Sequence, residues 1–129
     1  MITLLDEILS NNTDDLGLDI LLQLSDEIFP MDNGYWTKIE AKTVVTNEHI
    51  PHGVRYSLTL HNPRNIRILG YDNAHGVKPK KKRYGAKRVA WDHRHEREIV
   101  EPYEFANAGQ LLEDFWADVE KILLEEQGE

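Results

Sequence analysis

Three consecutive segments in the middle of this chain alternate apolar and polar residues with a period of two. They cover residues 35–45, 54–60 and 66–71, and residues that favour turns separate them. Because successive side chains of a strand point to opposite faces, this alternation predicts strands that bury one face and leave the other polar. The short connections between the segments suit an antiparallel meander. A fourth short strand, predicted near residues 88–93, would extend the sheet.

Apolar residues with helical spacing precede the predicted sheet in the sequence. Leu18, Leu21, Leu22 and Phe29 recur at intervals that suit a helix covering part of the core, with Ile28 at the edge of the stripe. The proline that follows and the turn-forming residues after it predict that this helical region ends at residue 30.

The C-terminal region has the clearest helical pattern. Asn107, followed three residues later by Gln110, resembles a capping box at a helix start. Two neighbouring apolar stripes follow, formed by Leu111, Phe115, Val119 and Ile122 and by Leu112, Trp116 and Leu123. The chain is therefore predicted to be an α+β protein, with an antiparallel meander of three to five strands. The C-terminal helix packs on one face of the sheet, and an N-terminal helical segment precedes it.

Composition excludes several classes of protein. The 129 residues suit one domain, and the absence of cysteine excludes disulfides, thiolate metal sites and thiol nucleophiles. The sequence has neither an apolar run near the length of a membrane span nor the basic start of a signal peptide. We therefore expect a cytoplasmic protein without a membrane partner.

Charge is unevenly distributed along the chain. The net charge is -8, yet twelve Lys or Arg residues and three carboxylates lie between Arg55 and Arg97. A basic middle between acidic ends can present one positive face to a polyanion, although the overall acidity argues against a dedicated nucleic-acid binder. The basic run and the residues after it provide six candidate nucleic-acid contacts: Lys80, Lys81, Lys82, Arg83, Lys87 and Arg88.

Histidines and a carboxylate are concentrated on either side of this basic run. Asp72 and His75 lie where the third strand is predicted to end, and Asp92-His93-Arg94-His95 follows the run. If the second segment is extended, both imidazoles point to one face, while Asp92 and Arg94 point away from them. We interpret the remaining histidines, at positions 49, 52 and 61, as surface residues.

Two kinds of chemistry fit these residues. In one, His93 or His95 acts as general base and the other, or His75, as general acid, while Arg94 or a nearby cation stabilises charge on phosphorus. In the other, Asp72, His75, His93 and His95 bind a divalent metal ion. The sequence leaves both open.

Seven segments carry a recognisable series of motifs: residues 25–29, 34–41, 51–60, 70–75, 92–95, 102–105 and 110–116. In this order they resemble the TumE-type family of small bacterial proteins, which are toxin components of toxin–antitoxin pairs. We treat residues 1–129 as one domain, with 25–123 as the family-like core and 1–24 as a variable helical extension.

The resemblance implies a role more than a reaction. It implies a cognate antitoxin, often a helix-turn-helix protein, and it transfers no catalytic residues to this chain. One hypothesis is a ribonuclease toxin that acts on RNA through the histidine-rich site. The alternative is a non-catalytic module that binds nucleic acid or a protein partner through its basic face. The oligomeric state stays open.

Overall fold

The computed structural model describes residues 16–73 and 91–127. Its centre is a six-stranded sheet in which every neighbouring pair is antiparallel and spatial order follows chain order. The strands are β1 (Glu27–Pro30), β2 (Trp36–Thr43), β3 (Val54–His61), β4 (Arg67–Asp72), β5 (His93–Glu96) and β6 (Ile99–Pro102). This confirms the predicted α+β meander, with one strand more than the upper number expected.

Two α-helices and a short 3-10 helix, Asp32–Gly34, complete the described part of the chain. Residues 16–23 are helical and form α1, and α2 spans Ala108–Gln127. The predicted stripes of α2 are confirmed, because Leu111, Phe115, Val119 and Ile122 are each at most 2% exposed and pack in the core. Asn107 Oδ1 accepts a hydrogen bond from the Gln110 backbone N–H, which caps the helix as expected. Among the described residues, no helix is long and apolar enough to cross a membrane.

The core lies between α2 and one face of the sheet. Alternate residues of β3, namely Val54, Tyr56, Leu58 and Leu60, are buried there, and the ring of Tyr71 in β4 contacts Phe115 edge-on. Helix α1 adds Leu21 to the same core cluster. The opposite face of the sheet, which is turned away from α2, is called the polar face below.

The prediction that the N-terminal helix continues to residue 30 is wrong. Ile28 and Phe29 belong to strand β1, whereas the sequence pattern predicted that they continue the N-terminal helix. The helix ends at residue 23, and Asp26 then adopts a left-handed conformation with φ 72° that turns the chain. Phe29 pairs with Thr37, so pairing with β2 overrides the helical spacing.

Strand boundaries also differ from expectation. The third predicted strand begins at Arg67, and Ile66 lies outside it with 54% exposure. The fourth begins at His93, so the expected range 88–93 overlaps it at one residue, and residues 88–90 lie outside the described part. Strand β6 was not predicted, because its four exposed residues do not alternate between buried and exposed positions.

A register shift between β3 and β4 affects the polar face. Leu60 pairs with Leu69, but His61 pairs with Arg67, so β4 contains one extra residue at this point. Such a bulge reverses the alternation of faces beyond it. Arg67 therefore faces the same side as His61.

Candidate functional site

Asp72, His93 and His95 come together on the polar face. Asp72 is the direct partner of His93 across β4 and β5, and His95 lies two residues further along the same strand. Nε2 of His93 lies 2.8 Å from Oδ1 of Asp72, and Nε2 of His95 lies 3.7 Å from its Oδ2. The predicted convergence of the two imidazoles is confirmed, with ring centroids 4.6 Å apart. We call these three residues the Asp–His–His cluster.

His93 is held in place at both ring nitrogens. His93 is 2% exposed, and its Nδ1–H donates a hydrogen bond to the Trp91 carbonyl oxygen at 2.9 Å. Burial alone lowers the pKa of His93, but the hydrogen bond to Asp72, the charge of that carboxylate and the Trp91 carbonyl outweigh it. The net effect raises the pKa of His93 above its usual value, because the nearby carboxylate of Asp72 stabilises the protonated imidazole.

His95 has the opposite electrostatic environment. Its side chain keeps 18% exposure, so it is the histidine of the cluster that a ligand can reach more easily. Burial lowers the pKa of His95, and the positive charges of Arg67 and His93 lower it further against the effect of Asp72. The pKa values of the two imidazoles are therefore shifted in opposite directions, and the environment of His95 favours its neutral form.

Arg67 supplies a cation beside the cluster. Its Nη1 lies 3.9 Å from Oδ2 of Asp72, and its side chain crosses Gly70, where an added Cβ would lie 3.3 Å from Nη1. The sequence pattern does not identify Arg67 as a site residue, because strict alternation places residues 67 and 72 on opposite faces. Only the bulge in β4 brings them to the same side, and no sequence signal that we recognise marks it.

Arg94, which we expected to stabilise charge on phosphorus, lies on the α2 face instead. Its guanidinium contacts Asp118 at 2.8 Å, Glu96 at 2.7 Å and Glu101 at 3.0 Å. The prediction that residue 94 points away from the two histidines is confirmed. The same geometry removes Arg94 from the candidate site and makes it a link between β5 and the last helix.

The interpretation of His52 as a surface residue is wrong. Its Nε2 lies 2.8 Å from Oδ2 of Asp92, and its ring stacks on Phe105 with centroids 3.8 Å apart. Tyr56 donates to the same Asp92 oxygen at 2.7 Å. The Val54 N–H donates to Nδ1 of His52, so Nε2 carries the proton and this histidine ties its loop to the sheet.

An aromatic pair lies on the polar face at the far end of β3. The rings of Trp36 and His61 stack with centroids 3.9 Å apart and an interplanar angle of 7°. Trp36 Nε1 donates to Asn65, and His61 pairs with Arg67. The pair and the Asp–His–His cluster therefore lie on one face, with Arg67 between them.

The other predicted site residues lie outside the described part of the chain. They are His75, Lys80, Lys81, Lys82, Arg83, Lys87 and Arg88. Their roles stay predictions from the sequence.

Comparison with known proteins adds an identification that geometry does not provide. No curated protein and no solved structure matches this chain. The family model described as Toxin TumE matches residues 7–123, which is most of the chain and includes all six strands. A toxin of this kind implies an antitoxin partner. The chain belongs to the TumE family of toxins from toxin–antitoxin systems.

Proposed function

We propose that this toxin acts in the cytoplasm as a ribonuclease whose reaction centre is the Asp–His–His cluster. The observation that carries the proposal is the convergence of Asp72, His93 and His95 on one face, with 2.8 Å and 3.7 Å between their polar atoms. Paired strands position these groups, and such rigid elements hold reactive side chains more accurately than loops do.

The cluster can activate an attacking oxygen in either of two ways. Neutral His95 can accept a proton from a ribose 2′-hydroxyl, with His93 and Asp72 fixing its surroundings. Alternatively, a metal ion held by all three residues can lower the pKa of a bound water. In both cases the oxygen attacks phosphorus, the bond from phosphorus to the leaving oxygen breaks, and that oxygen takes up a proton from solvent water.

The surroundings of the cluster suit a single RNA strand. Arg67 can contact a phosphate, since its side chain is 41% exposed beside Asp72. Ser57 is the β3 partner of Asp72, and His61 lies four residues further along β3. At the usual rise per strand residue, His61 is therefore about 13 Å from Ser57 along the strand. Trp36 and His61 thus offer a surface for base stacking within reach of a strand that crosses the cluster. The segment that joins Asp72 to His93 in the sequence contains the basic run and therefore carries positive charge.

The test compares the wild type with His95→Gln in two assays. Cleavage of a single-stranded RNA oligonucleotide by the purified protein should fall at least about 100-fold in the variant, as expected for loss of an acid–base or ligand group. Growth arrest after induction in a bacterial host should be lost in parallel. His49→Gln is the matched control, since this loop histidine is 50% exposed and lies outside the cluster.

The remaining outcomes distinguish the alternatives. Arrest by the wild type and by His95→Gln, without cleavage of RNA, would favour toxicity by binding through the basic residues. Absence of both arrest and cleavage in the wild type would reject the proposal. The antitoxin is proposed to be a helix-turn-helix protein encoded beside the toxin, and an unrelated neighbouring reading frame would contradict that.

A further inference from the structure

The Asp–His–His cluster has the geometry of a metal site. One ligand atom from each of Asp72, His93 and His95 can be chosen so that all three lie within 4.8 Å of one another. Ligand atoms about 2.0–2.2 Å from a tetrahedral zinc ion lie roughly 3.3 Å apart. The separations of 2.8 Å and 3.7 Å, each to a different oxygen of Asp72, lie on either side of that value, so the spacing of the three side chains is compatible with one shared ion.

The second nitrogen of His93 supports the same assignment. Histidines that bind metals usually donate their other ring N–H to a carbonyl or carboxylate, which fixes the tautomer and aims the free nitrogen at the ion. Nδ1 of His93 donates to the Trp91 carbonyl at 2.9 Å, so Nε2, which lies 2.8 Å from Oδ1 of Asp72, is the nitrogen that would bind the ion after releasing any proton shared with that carboxylate. Trp91 lies two residues before His93, so the carbonyl that orients the imidazole belongs to the same segment of the chain as the ligand.

Burial favours a ligand role for His93 over direct proton transfer. A general acid or base must come within hydrogen-bond reach of the substrate. His93 is 2% exposed and both its nitrogens are engaged, so a substrate cannot approach it directly. A metal ligand needs no access to solvent, and the partly exposed His95 leaves the outer side of the site open.

The ligand set narrows the class of ion. Two imidazoles and one carboxylate suit zinc and neighbouring divalent transition metals, whereas magnesium and calcium prefer oxygen ligands. Three protein ligands leave at least one position for water or a phosphate oxygen, as in catalytic sites. Arg67 lies 3.9 Å from Asp72 and opposes the ion's charge, but its exposed side chain can instead contact a bound phosphate.

We propose that Asp72, His93 and His95 bind one divalent transition-metal ion of the zinc class, with an open coordination position toward the polar face. A bound ion of this kind polarises a phosphoryl oxygen and lowers the pKa of coordinated water. Its part in RNA cleavage rests on the proposed function, whereas the binding itself can be measured without it.

The experiment uses the full chain, purified without an affinity tag and freed of metal. Titration with Zn²⁺ is followed by calorimetry, and titration with Co²⁺ by its visible absorption bands. We expect one ion per chain for the wild type, and for His95→Ala at least a tenfold weaker affinity, about what loss of an outer-shell partner already causes. Zn²⁺ should also raise the unfolding temperature of the wild type more than that of His95→Ala.

His49→Ala and Asp72→Asn complete the design. His49→Ala should bind like the wild type, and Asp72→Asn, which preserves the shape of the side chain, should bind weakly even if His95→Ala is poorly folded. Absence of binding by the wild type, or equal affinity in all variants, would overturn the proposal. Metal binding without RNA cleavage would reject only the nuclease, and cleavage that is unaffected by a chelator would reject only the metal's role in it.

Discussion

Asp72 and His93 face each other across β4 and β5, and Oδ1 of the carboxylate lies 2.8 Å from Nε2 of the imidazole. Both residues are buried, with 7% and 2% exposure. A buried carboxylate next to an imidazole is stable only because each compensates the other's desolvation. Strand alternation in β5 then places His95 on the same face as this pair.

Replacing Asp72 with Asn should destabilise the metal-free protein. The substitution retains the shape of the side chain but removes a charge-assisted hydrogen bond from a buried site, so the free energy of unfolding should fall by about 1–3 kcal/mol. Urea denaturation with a chelator present measures the change. Glu48→Gln, at a side chain that is 85% exposed, should leave the midpoint where it is. An unchanged midpoint for Asp72→Asn would mean that the pair contributes no net stability.

The two arginines of neighbouring strands should have opposite roles. Arg94→Gln should lower the free energy of unfolding by about 2–3 kcal/mol, because Asp118 and Glu96 lose charge-assisted bonds in a partly buried setting. Arg67→Gln should change stability by less than about 0.5 kcal/mol, since its side chain is 41% exposed.

The effects of the two arginines on RNA cleavage should be the reverse of their effects on stability, with Arg67 the more important. Under the proposed function, Arg67→Gln should slow cleavage by about 100-fold, the scale seen when one stabilising donor is removed. Arg64→Gln, in the connection that precedes β4, is the control and should leave cleavage unchanged. Full activity of Arg67→Gln, together with loss of activity in folded Arg94→Gln, would restore Arg94 as the functional cation.

The contact between the two helices depends on Gly17. A Cβ added there would lie 2.8 Å from the Gly109 nitrogen and 2.9 Å from its Cα, so Gly17→Ala should push α1 away from α2 at a cost of about 1–3 kcal/mol. Gly109→Ala is a matched control, because its Cβ would meet Asn107 Oδ1 at 3.4 Å and Gly17 Cα at 3.9 Å. That change should stay within about 1 kcal/mol of the wild type and can be stabilising through helix propensity. Thermal unfolding of both variants measures these changes in stability. Equal losses of stability in the two variants would argue against the close approach of Gly17 to Gly109.

His61 should titrate below its usual range. Burial lowers the pKa of His61, and the positive charge of Arg67 lowers it further. Because the folded-state pKa is lower than the unfolded value near 6.5, the native state binds fewer protons, and this histidine costs no stability above that value. Its cost should appear as the pH falls from 6.5 toward the folded-state pKa.

NMR titration of the His61 ring, assigned with His61→Gln, measures that pKa directly. Trp36→Leu, which removes the stacked indole, should expose the imidazole and move its pKa back toward 6.5. A pKa at or above 6.5 in the wild type would contradict the burial seen at this end of the polar face.

Much of the fold follows from local patterns. Period-two alternation identified the middle strands, and the stripes and cap of α2 were readable because they depend on residues within a few positions of one another. The same local geometry explains why the convergence of His93 and His95 was predictable, since residues two apart on a strand share a face. Membership of the toxin family was likewise recognisable from motif order.

The sequence by itself therefore determined the class of fold, the C-terminal helix and the pairing of the two histidines. Only the tertiary structure decided that Asp72 lies opposite His93, that a bulge turns Arg67 toward the polar face, and that Arg94 is engaged by carboxylates on the α2 face. It also decided that Ile28 and Phe29 pair in β1. These features depend on the register between strands and on contacts between residues far apart in the chain, whereas periodicity reports only which neighbours along one element share a side.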